Sequence, residues 1–507
     1  MLKLSHLLTN VDGASAAAGD AGLQVREVCD DSRRVGVGDL FVAVPGSKVD
    51  GGKFVDEALA KGAIAVVSES ADLKDRLADR AALVVVPSAR KALGVIAANR
   101  FGAAAALCLT AVTGTNGKTT TTYLVESMLA AAGRKPGVIG TVGYRFGGRQ
   151  KEALLTTPGA LELHSLLSEM RQSGASDVVM EASSIALEQG RLAGCRYRVS
   201  ALTNVTQDHL DYHGTMEQYF AAKTVLFREL MAAPSGVSVL FADDAQGLAM
   251  RQFATGAVLT LSRADRGADV VVLDRKLGAD GIRARLQTPS GIVEIASPLV
   301  GEFNLANILT AVGIGLGHGL SPDAIASGIA RLRGVPGRLE AVANEAGVLC
   351  VVDYAHTPDA LERALDVLRP LSNGRLICVF GCGGDRDRGK RPLMGQAAVK
   401  RADLTIVTSD NPRTEKPESI IEMILEGVRA TGKVERSAAE LAQGYAGFHV
   451  EVDRWTAISR AVSLARMGDV ILLAGKGHED YQIIGTQKTH FDDREIAAAA
   501  FAARRRA

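Results

Sequence analysis

The sequence predicts an α/β protein of three domains. Its 507 residues are about three times the roughly 150 residues of an average domain, and 47% of them are hydrophobic, enough to fill several buried cores. Short apolar strands, each followed by a polar loop and a helical stretch, recur along the chain, which is typical of parallel sheets covered by helices on both faces. We place the three domains at 1–106, 107–336 and 337–507.

Charge and composition exclude several classes of protein. The net charge at pH 7 is +1, which argues against a nucleic-acid-binding surface. No apolar run reaches the ~20 residues of a membrane span, and residues 1–10 have too short an apolar region for a signal peptide, so we expect a cytoplasmic protein. The six cysteines show no metal-ligand spacing, so we expect reduced and mostly buried thiols.

The first domain is predicted to be a small α/β unit with two polar loops. The loops, residues 30–34 and 46–52, are rich in hydrogen-bond donors, but taken alone such loops are plain turns more often than ligand sites. The predicted elements are strands at 41–45, 63–67 and 83–87 and a helix at 54–61.

One stretch near the start of the middle domain joins an apolar strand, a glycine-containing turn and a threonine-rich helix. Gly114 and Gly117 allow backbone angles that turn N–H groups towards an anion, and the helix beginning near Lys118 points its positive end at the same place. In such a P-loop-type turn Lys118 would reach the β- and γ-phosphates, and the Thr119 hydroxyl would bind Mg²⁺. The first glycine of the formal motif is a valine here. Because strand, Gly-Lys-Thr and helix occur together, we predict nucleotide phosphate binding rather than an ordinary turn.

Polar residues also follow other strands of the middle domain. The strand that starts at residue 177 runs into Glu181, which a fully buried strand would not tolerate without partners; Glu181 is therefore a candidate Mg²⁺ or water ligand. The strand at 199–205 leads into residues 206–213, a cluster of two aspartates and two histidines at a position that favours a ligand site over structural histidines. Lys223 lies in an amphipathic helix, where the pattern alone predicts a solvent-facing lysine.

The last domain shows the strand–loop–helix rhythm most clearly. Ligands of parallel sheets bind beyond the carboxyl ends of the strands, and the loops there hold both acids and bases, so we expect a zwitterionic ligand. No loop carries the G-x-G-x-x-G motif, which argues against a dinucleotide site in this Rossmann-like sheet. After a predicted hinge at 334–338, the strands are placed at 347–352, 375–380, 403–408 and 469–474.

Seven motifs together resemble the signatures of the Mur ligases. The glycine-rich turn is shared with folylpolyglutamate synthetases, and valine in place of its first glycine is usual in this superfamily. The motifs of the last domain are similar to those of the members that add meso-diaminopimelate to UDP-N-acetylmuramoyl-L-alanyl-D-glutamate. The motifs are Thr-Gly-Thr-Asn-Gly-Lys-Thr-Thr at 113–120, Glu-Ala-Ser-Ser at 181–184, Asn-Val-Thr-Gln-Asp-His-Leu-Asp-Tyr-His at 204–213, Phe-Asn-Leu-Ala-Asn at 303–307, Asp-Tyr-Ala-His-Thr-Pro-Asp at 353–359, Gly-Cys-Gly-Gly-Asp-Arg-Asp at 381–387 and Asp-Asn-Pro-Arg at 410–413.

The resemblance implies an ATP-dependent amide ligase of peptidoglycan synthesis. ATP would phosphorylate the D-glutamate γ-carboxylate, and the diaminopimelate amine would attack the acyl phosphate to give the amide, ADP and phosphate. Both steps bring anions together, so positioning and charge neutralisation carry most of the catalysis. The implied cofactors are ATP and Mg²⁺, and the implied partners are the two small-molecule substrates. We expect a monomer with no nucleic-acid or membrane partner.

The resemblance also assigns roles around the nucleotide. Lys118, His209, Lys223 and His356 are implied as catalytic residues, and Lys223 matches a family lysine that is carbamylated. The implied metal ligands are Thr119, Glu181, His209 and Lys223. The implied ATP-binding residues are Gly114, Thr115, Asn116, Gly117, Lys118, Thr119, Thr120, Asn304, Arg338 and Asp353.

The substrate residues follow from the same matches. Position 30 is often apolar in relatives, which favours Ser32 as the UDP contact. Arg413 offers the fork that a carboxylate prefers; L-lysine lacks the second carboxylate and would leave Arg413 unpaired, a basis for rejection. The implied residues for the UDP-muramoyl-dipeptide are Asp30, Ser32, Ser47, Lys48, Val49, Thr156, Thr157, Ser183, Gln189 and Arg191. Those for diaminopimelate are Arg391, Asp410, Asn411, Pro412, Arg413, Gly475 and Glu479.

Three other functions remain compatible with parts of the sequence. A folylpolyglutamate-type ligase would use the same ATP chemistry but has no need for Asp-Asn-Pro-Arg. A P-loop switch or motor ATPase would hydrolyse ATP without any amino acid. A non-enzymatic binding protein would leave Lys118, Glu181 and His209 unexplained together.

Overall fold

The structure, a computed structural model, describes residues 1–18, 22–46, 51–77, 80–232, 234–264, 266–278 and 280–505. Within these residues, no helix is both long enough and apolar enough to cross a membrane. The chain divides into two compact units. Unit 1 comprises Met1–Asp274, Ala284–Ile295 and Ala306–Arg331, and unit 2 comprises Arg275–Arg283, Ala296–Leu305 and Leu332–Ala507.

The first hundred residues of unit 1 build a five-stranded sheet in the order β2-β7-β6-β5-β4. Strands β4 to β7 are parallel, and β2 pairs with β7 antiparallel. The predicted strands at 41–45, 63–67 and 83–87 correspond to β5, β6 and β7, and the predicted helix to α2. The elements are β1 Leu2–Lys3, α1 Leu4–Leu7, β2 Ser15–Ala18, β3 Gln24–Val25, β4 Val28–Cys29, β5 Leu40–Val42, α2 Val55–Ala60, β6 Ala65–Ser68, α3 Lys74–Leu77, β7 Ala82–Val85 and α4 Ala89–Phe101.

The middle of the chain contributes to an eleven-stranded sheet in the order β11-β10-β9-β12-β8-β13-β14-β15-β16-β17-β18. Strands β9, β12, β8, β13, β14 and β15 are parallel neighbours, so their carboxyl ends share one edge. The elements are β8 Cys108–Thr113, α5 Lys118–Ala131, β9 Pro136–Gly140, β10 Gly143–Phe146, β11 Arg149–Lys151, α6 Ala160–Gln172, β12 Asp177–Glu181, α7 Ser184–Glu188, β13 Tyr197–Leu202, α8 Leu210–His213, α9 Met216–Arg228, β14 Val237–Phe241, α10 Ala245–Arg251, β15 Ala257–Ser262, β16 Val270–Gly278, β17 Gly281–Thr288, β18 Gly291–Ser297, α11 Glu302–Gly317 and α12 Pro322–Arg331.

Unit 2 is built on a six-stranded sheet in the order β19-β20-β24-β21-β22-β23. Its elements are β19 Glu340–Val342, β20 Leu349–Asp353, α13 Pro358–Leu368, β21 Leu376–Phe380, α14 Lys390–Arg401, β22 Leu404–Val407, α15 Pro417–Arg429, α16 Ala438–Gln443, β23 Gly447–Val450, α17 Arg454–Leu464, β24 Val470–Ala474, β25 Tyr481–Ile484, β26 Gln487–His490 and α18 Asp493–Arg504.

The prediction of a parallel sheet with helices on both faces is confirmed in unit 2. The four predicted strands are β20, β21, β22 and β24, and all their mutual pairings are parallel. Helices α13 to α15 bury apolar residues on one face, and α16 to α18 do so on the other. Strand β24 lies between β20 and β21, so the loops that follow these three strands leave from adjacent positions, where sheets of this kind bind ligands. The sequence analysis missed β23, which is only four residues long.

Candidate active site

The turn between β8 and α5 has the geometry of a phosphate-binding loop. Gly114 has φ +143° and Gly117 has φ +86°. A Cβ at Gly114 would lie 1.9 Å from Thr203 Oγ1, and one at Gly117 would lie 2.1 Å from Asn307 Oδ1, so both positions exclude side chains on two separate grounds. Helix α5 begins at Lys118 without a side-chain cap. Its first N–H groups are thus available to an anion, as the sequence predicts.

Residues after β13 hold this loop in place. The Asn204 side chain accepts a hydrogen bond from Asn116 N (3.1 Å) through Oδ1 and donates one to Asn116 O (3.1 Å) through Nδ2. The Thr203 hydroxyl also donates to Asn116 O, at 2.6 Å. The sequence analysis did not assign a role to Thr203 or Asn204; the signal was their position at the end of a strand beside the loop.

Two lysines share a carbonyl of the loop. Lys118 Nζ donates to the carbonyls of Gly114 (2.9 Å) and Thr115 (2.7 Å), and Lys223 Nζ donates to Gly114 O at 3.1 Å. Lys223 is only 1% exposed, so the prediction from helix pattern that it faces solvent is wrong. Its ammonium also lies 4.2 Å from the centre of the Tyr219 ring. Burial, reinforced by the nearby charge of Lys118, pushes the pKa of Lys223 well below its usual range.

Glu181 ends β12 as a buried carboxylate with both oxygens in use. Glu181 is 1% exposed. One oxygen of its carboxylate accepts a hydrogen bond from Thr141 N at 2.9 Å, and the other accepts one from Thr141 Oγ1 at 3.0 Å. Thr119, at the start of α5, is also buried. A carboxylate and a hydroxyl, at the carboxyl ends of two paired strands, are oxygen ligands of the kind Mg²⁺ prefers. The donor set therefore fits the predicted ion, and Thr141 is a supporting residue that the sequence analysis missed.

The residues predicted to hold the muramoyl-dipeptide lie in one network around α7. Thr157 Oγ1 donates to Glu181 O (2.7 Å) and accepts from Ser183 N (3.1 Å). Arg191 donates to Thr157 O (3.0 Å) and, through Nε and NH2, to Gln189 Oε1 (3.0 and 2.6 Å). Thr156 joins the network through a 3.1 Å hydrogen bond between its hydroxyl and that of Thr141. Five residues separated by up to 35 positions thus meet beside Glu181.

The two histidines of the 206–213 cluster have different environments. The His209 side chain is 46% exposed, with Nε2 3.6 Å from Asp208 Oδ2. His213 is buried; its Nε2 lies 2.9 Å from Ser184 Oγ and its Nδ1 3.2 Å from Glu188 Oε2. Burial lowers the pKa of His213. His209 is therefore the accessible candidate ligand, whereas His213 is held by Ser184 and Glu188 of α7.

The predicted UDP contacts are only partly described. Ser32 is buried and donates its hydroxyl to Glu57 Oε2 at 2.8 Å, while Lys61 Nζ donates to Ser32 O at 3.1 Å. Asp30 is exposed. The other three predicted contacts, Ser47, Lys48 and Val49, lie outside the described residues.

In unit 2, three of the residues predicted around the nucleotide, Arg338, Asp353 and His356, lie at the turn after β20. Asp353 accepts from Leu339 N (2.8 Å) and Ala355 N (2.9 Å), and burial raises its pKa. The Arg338 guanidinium lies 5.4 Å from the centre of the Tyr354 ring. Of the remaining predicted residues, His356 is exposed, with Nδ1 2.8 Å from Tyr354 O, and Asn304 is buried and donates to Val300 O at 2.9 Å.

The loop after β22 carries most of the predicted diaminopimelate contacts. Arg413 has φ +52°, an uncommon conformation for a residue other than glycine. Hydrogen bonds hold it there, from its own N to Ile483 O (3.0 Å) and from its NH1 to Gly384 O (2.9 Å). A Cβ at Gly384 would lie 1.8 Å from Pro412 O, so the two loops touch through their backbones.

Residues after β24 complete this cluster. Glu479 is 15% exposed and accepts from Asn411 Nδ2 at 2.7 Å. Burial and the neighbouring Asp410 raise its pKa. A Cβ at Gly475 would lie 2.7 Å from Asp410 Oδ2, so glycine is what permits this carboxylate to approach. The predicted residues Asp410, Asn411, Gly475 and Glu479 therefore lie together.

Arg391 is placed differently from the other predicted diaminopimelate contacts. It is fully buried, and its guanidinium makes a bidentate pair with Glu415 at 2.7 and 2.9 Å. Glu415 also accepts from Asp385 N at 2.7 Å. The arrangement ties the loop after β21 to the loop after β22, and the sequence analysis missed Glu415 because a partner 24 positions away leaves no local pattern.

Two cavities lie at the opposite edge of the unit 1 sheet. They have volumes of about 360 and 650 Å³ and share His318 and Gly319 in their walls. Cys108, Asp177 and His318 come together there, but Arg134 donates to Asp177 at 2.8 Å and balances its charge. This cluster is structural, and the phosphate loop lies at the other end of β8. All six cysteines are free, four of them buried, as predicted.

Comparison with known protein families identifies three matching regions. Residues 24–101 match the Mur ligase family, catalytic domain; residues 112–315 match the Mur ligase middle domain; and residues 337–477 match the Mur ligase, glutamate ligase domain.

Individual proteins are similar along the whole chain. The UDP-N-acetylmuramoyl-L-alanyl-D-glutamate–2,6-diaminopimelate ligase of Geobacter metallireducens is 47% identical, covering 97% of each chain. The protein of the same name from Gloeobacter violaceus is 48% identical, covering 94% of this chain and 93% of its own. A solved structure of a UDP-N-acetylmuramoyl-L-alanyl-D-glutamate–2,6-diaminopimelate ligase has 34% identity and a TM-score of 0.73, with 99% of both chains covered. Folylpolyglutamate synthase from Mycobacterium tuberculosis shares the fold, with 18% identity and a TM-score of 0.59.

Proposed function

Because the chain belongs to the Mur ligase family, we propose that it adds meso-2,6-diaminopimelate to the D-glutamate of UDP-N-acetylmuramoyl-L-alanyl-D-glutamate in peptidoglycan synthesis. The observation that carries this proposal is the cluster in unit 2 that places the acid Glu479 beside Asn411 and the loop of Arg413. The zwitterionic end of an amino acid needs a hydrogen-bond acceptor for its ammonium and a bidentate donor, such as a guanidinium, for its carboxylate.

The proposed reaction has two steps. A γ-carboxylate oxygen of D-glutamate attacks the γ-phosphorus of ATP, and ADP leaves. The amine then attacks the acyl carbon, the tetrahedral intermediate expels phosphate, and the amine loses its proton. In both steps Lys118 and the N–H groups at the start of α5 would neutralise phosphate charge. The nucleotide would also be contacted by Asn304, Arg338 and Asp353, with His356 near them as a catalytic residue.

The metal sites are proposed from the donor set. Thr119 and Glu181 would hold a Mg²⁺ ion that neutralises the β- and γ-phosphates, and His209 would bind a second ion. Lys223 would contribute as a carbamate. Its burial favours the neutral amine, which can add CO₂ and release one proton, and the product offers carboxylate-like oxygens in place of a cation.

The dipeptide end of the first substrate is assigned to the network beside Glu181. Arg191 would neutralise a substrate carboxylate, and Thr156, Thr157, Ser183 and Gln189 would fix its orientation. Asp30, Ser32 and residues 47–49 are proposed for the UDP part. Because the Ser32 hydroxyl already donates its proton to Glu57, its contact with UDP would use its backbone or the hydroxyl oxygen as an acceptor.

Specificity for diaminopimelate is proposed to come from Arg413. Its guanidinium would pair with the distal carboxylate and Glu479 would accept from the distal ammonium, with Asp410, Asn411, Pro412 and Gly475 shaping the pocket. Arg391 would act through Glu415. L-Lysine would leave Arg413 without a carboxylate, at a cost of about 1–3 kcal/mol for a desolvated unpaired group.

The domain limits, location and assembly also remain proposals. We propose three domains at 1–106, 107–336 and 337–507, which the separate family matches support. We propose that the protein works as a monomer in the cytoplasm, where ATP is available.

Phosphate release and product mass test the proposed function together. The protein would be incubated with ATP, Mg²⁺ and the UDP-muramoyl-dipeptide, with diaminopimelate, L-lysine or no amino acid. We expect phosphate release only with diaminopimelate, and a product heavier by one diaminopimelate less one water. Full-rate phosphate release without amino acid would instead identify an ATPase. Glutamate addition to a folate would identify a folylpolyglutamate-type ligase.

A further inference from the structure

Lys476 is a fully buried lysine of unit 2. It lies beside Asp410, Asn411 and Glu479, which we call the amino-acid cluster. It follows β24 between Gly475 and Gly477, whose φ angles of +112° and +55° turn the chain inwards. Lys476 is 0% exposed, and its Nζ lies 5.7 Å from the centre of the Tyr481 ring and 5.8 Å from that of the Phe491 ring. Neither the predicted contacts nor the proposed reaction uses this lysine.

The ammonium of Lys476 lies among three acceptors. It donates to Asn411 Oδ1 at 3.2 Å, and it is 3.7 Å from Asp410 Oδ1 and 3.8 Å from Glu479 Oε2. The Asn411 oxygen is also fixed by Ile483 N at 2.9 Å, and the Asn411 nitrogen donates to Glu479 at 2.7 Å. One cation thus serves two carboxylates that have little access to water.

We propose that Lys476 is a positioning residue whose ammonium, lying between Asp410, Asn411 and Glu479, offsets one of the two carboxylate charges, so that this cluster presents one net negative charge to the ammonium of the incoming amino acid. The inference rests on the proposed function, since it concerns how the same pocket recognises diaminopimelate. Two carboxylates and one ammonium leave a single excess negative charge, which matches one arriving cation.

The surroundings of Glu479 explain why it needs this support. Burial and Asp410 raise the pKa of Glu479, whereas Lys476, Asn411 and Arg413 lower it. Without the ammonium, the pKa of Glu479 would rise further, because the neighbouring charge of Asp410 disfavours its ionisation, and a protonated Glu479 would no longer attract an ammonium. The other charged or titratable groups coupled to these residues are Tyr354, His356, Cys382, Arg413, Arg454 and Asp493. Burial lowers the pKa of Lys476, whereas the charges of Asp410 and Glu479 raise it. Arg454 is already paired with Asp493 at 2.6 Å and donates to backbone carbonyls, so it does not replace Lys476.

A neutral variant of nearly the same volume, Lys476→Met, tests the proposal. We expect the KM for diaminopimelate to rise about tenfold or more near neutral pH, in line with loss of a buried charge contact, while the KM for ATP changes little. Because removal of the cation moves ionisation of Glu479 to higher pH, the KM for diaminopimelate should fall back as the pH is raised. The surface variant Lys400→Met is the matched control and should behave as the wild type.

Removal of one acid provides the decisive second measurement. Asp410→Asn alone should raise the KM for diaminopimelate, because Lys476 then cancels the charge of Glu479. The double variant Lys476→Met with Asp410→Asn again leaves one negative charge, so its KM should lie below that of Lys476→Met. A lysine needed only for packing would give neither the pH rescue nor this recovery.

Three results would overturn the inference. They are an unchanged KM for diaminopimelate in Lys476→Met, a raised KM that is independent of pH, and no recovery in the double variant. Should Lys476→Met fail to fold by circular dichroism, Lys476→Gln carries the same expectations, both alone and combined with Asp410→Asn. Failure of the proposed function is distinguishable, because the wild-type protein would then release no phosphate in response to diaminopimelate.

Discussion

The phosphate loop of unit 1 and the amino-acid cluster of unit 2 are built by different means. The phosphate loop depends on backbone conformation: two glycines with positive φ, an uncapped helix start and short polar side chains that hold Asn116. The amino-acid cluster depends on charged side chains withdrawn from water, with Lys476 among Asp410, Asn411 and Glu479.

The difference agrees with what each region is proposed to recognise. A triphosphate is the same in every ATP-dependent enzyme, so N–H groups and one lysine suffice, and they can come from one continuous stretch. An amino acid with charged groups at both ends has to be told from similar ones, which requires unpaired charges to be costly and therefore buried. Such groups are contributed by loops after several strands.

The largest effect is expected in the phosphate loop. Lys118→Ala should lower kcat about 1,000-fold, the size typical of removing a charge-stabilising donor from the transition state, with the melting temperature nearly unchanged. Steady-state phosphate release and circular dichroism measure the two quantities, and the exposed Lys135→Ala is the control. Turnover retained within a few fold would remove Lys118 from the proposed mechanism.

The second-largest effect concerns Lys223, which donates to the same Gly114 carbonyl as Lys118. We expect activity to fall when CO₂ is stripped from the buffer and to return with bicarbonate, because the low pKa of Lys223 leaves its amine free to react. With ¹³C-labelled bicarbonate, the wild-type protein should give a carbamate NMR signal. Lys223→Met should lose this signal and lower kcat about 100-fold. A signal that persists in the variant would place the carbamate elsewhere.

In the amino-acid cluster, Arg413→Ala should act on one substrate only. We expect its KM for diaminopimelate to rise about 10- to 100-fold, the effect of leaving a carboxylate unpaired, while the KM for ATP stays close to that of the wild type. Arg413→Lys should recover only part of the loss, because it keeps the charge but lacks the fork. Equal changes in both KM values would assign Arg413 a structural role, and the surface variant Arg429→Ala controls for loss of charge.

A smaller effect is expected from the residue that holds Glu181. Thr141→Val removes the 3.0 Å hydroxyl donor but keeps the backbone N–H. We expect the Mg²⁺ concentration that gives half-maximal activity to rise about tenfold, because loss of a hydrogen-bond partner of a metal ligand usually weakens metal binding by about this factor. Titration of activity with Mg²⁺ measures it. Saturation at the wild-type concentration would mean that Glu181 does not need this support.

The smallest effect is one of stability. Arg391 lowers the pKa of Glu415 to about 2 from an ordinary value of 4.5. A carboxyl whose folded pKa is depressed stabilises the protein above its unfolded pKa, and this contribution is lost as the pH falls through the folded pKa. Glu415→Gln should therefore melt below the wild type at pH 7, by a difference that shrinks between pH 4.5 and about 2. The exposed Glu426→Gln should show no such trend, and a constant difference would contradict the pairing.

The sequence predicted those parts of the molecule that depend on local pattern. The phosphate loop was recognisable because glycines, lysine and helix start are contiguous, and the parallel sheet of unit 2 was recognisable from four apolar strands. Family resemblance supplied residues such as Arg191 and Glu479, whose neighbours in space are distant in sequence. Their assigned roles remain predictions.

Burial and pairing across long separations were not predictable. Helix pattern put Lys223 in solvent because a single buried lysine hardly disturbs an amphipathic period. Glu415 was missed because its partner Arg391 is 24 positions away, and Lys476 was missed because Asp410 and Asn411 are more than 60 positions away. Arg391 is predicted to contact diaminopimelate, and its pairing with Glu415 could not be read from the sequence. Charge partners of this kind are determined by how the loops after different strands meet.

The hairpin of β25 and β26 bears on how acceptor preference could be changed. Arg413 donates its N–H to Ile483 O at 3.0 Å and accepts at its carbonyl from Gly485 N at 2.7 Å. Two backbone hydrogen bonds therefore join Arg413 to a separate segment of the chain. To redesign the protein for another amino acid, residues 410–415 and 481–490 would have to be replaced together. Replacing residues 410–415 alone would break both hydrogen bonds and leave the new side chain without a fixed direction.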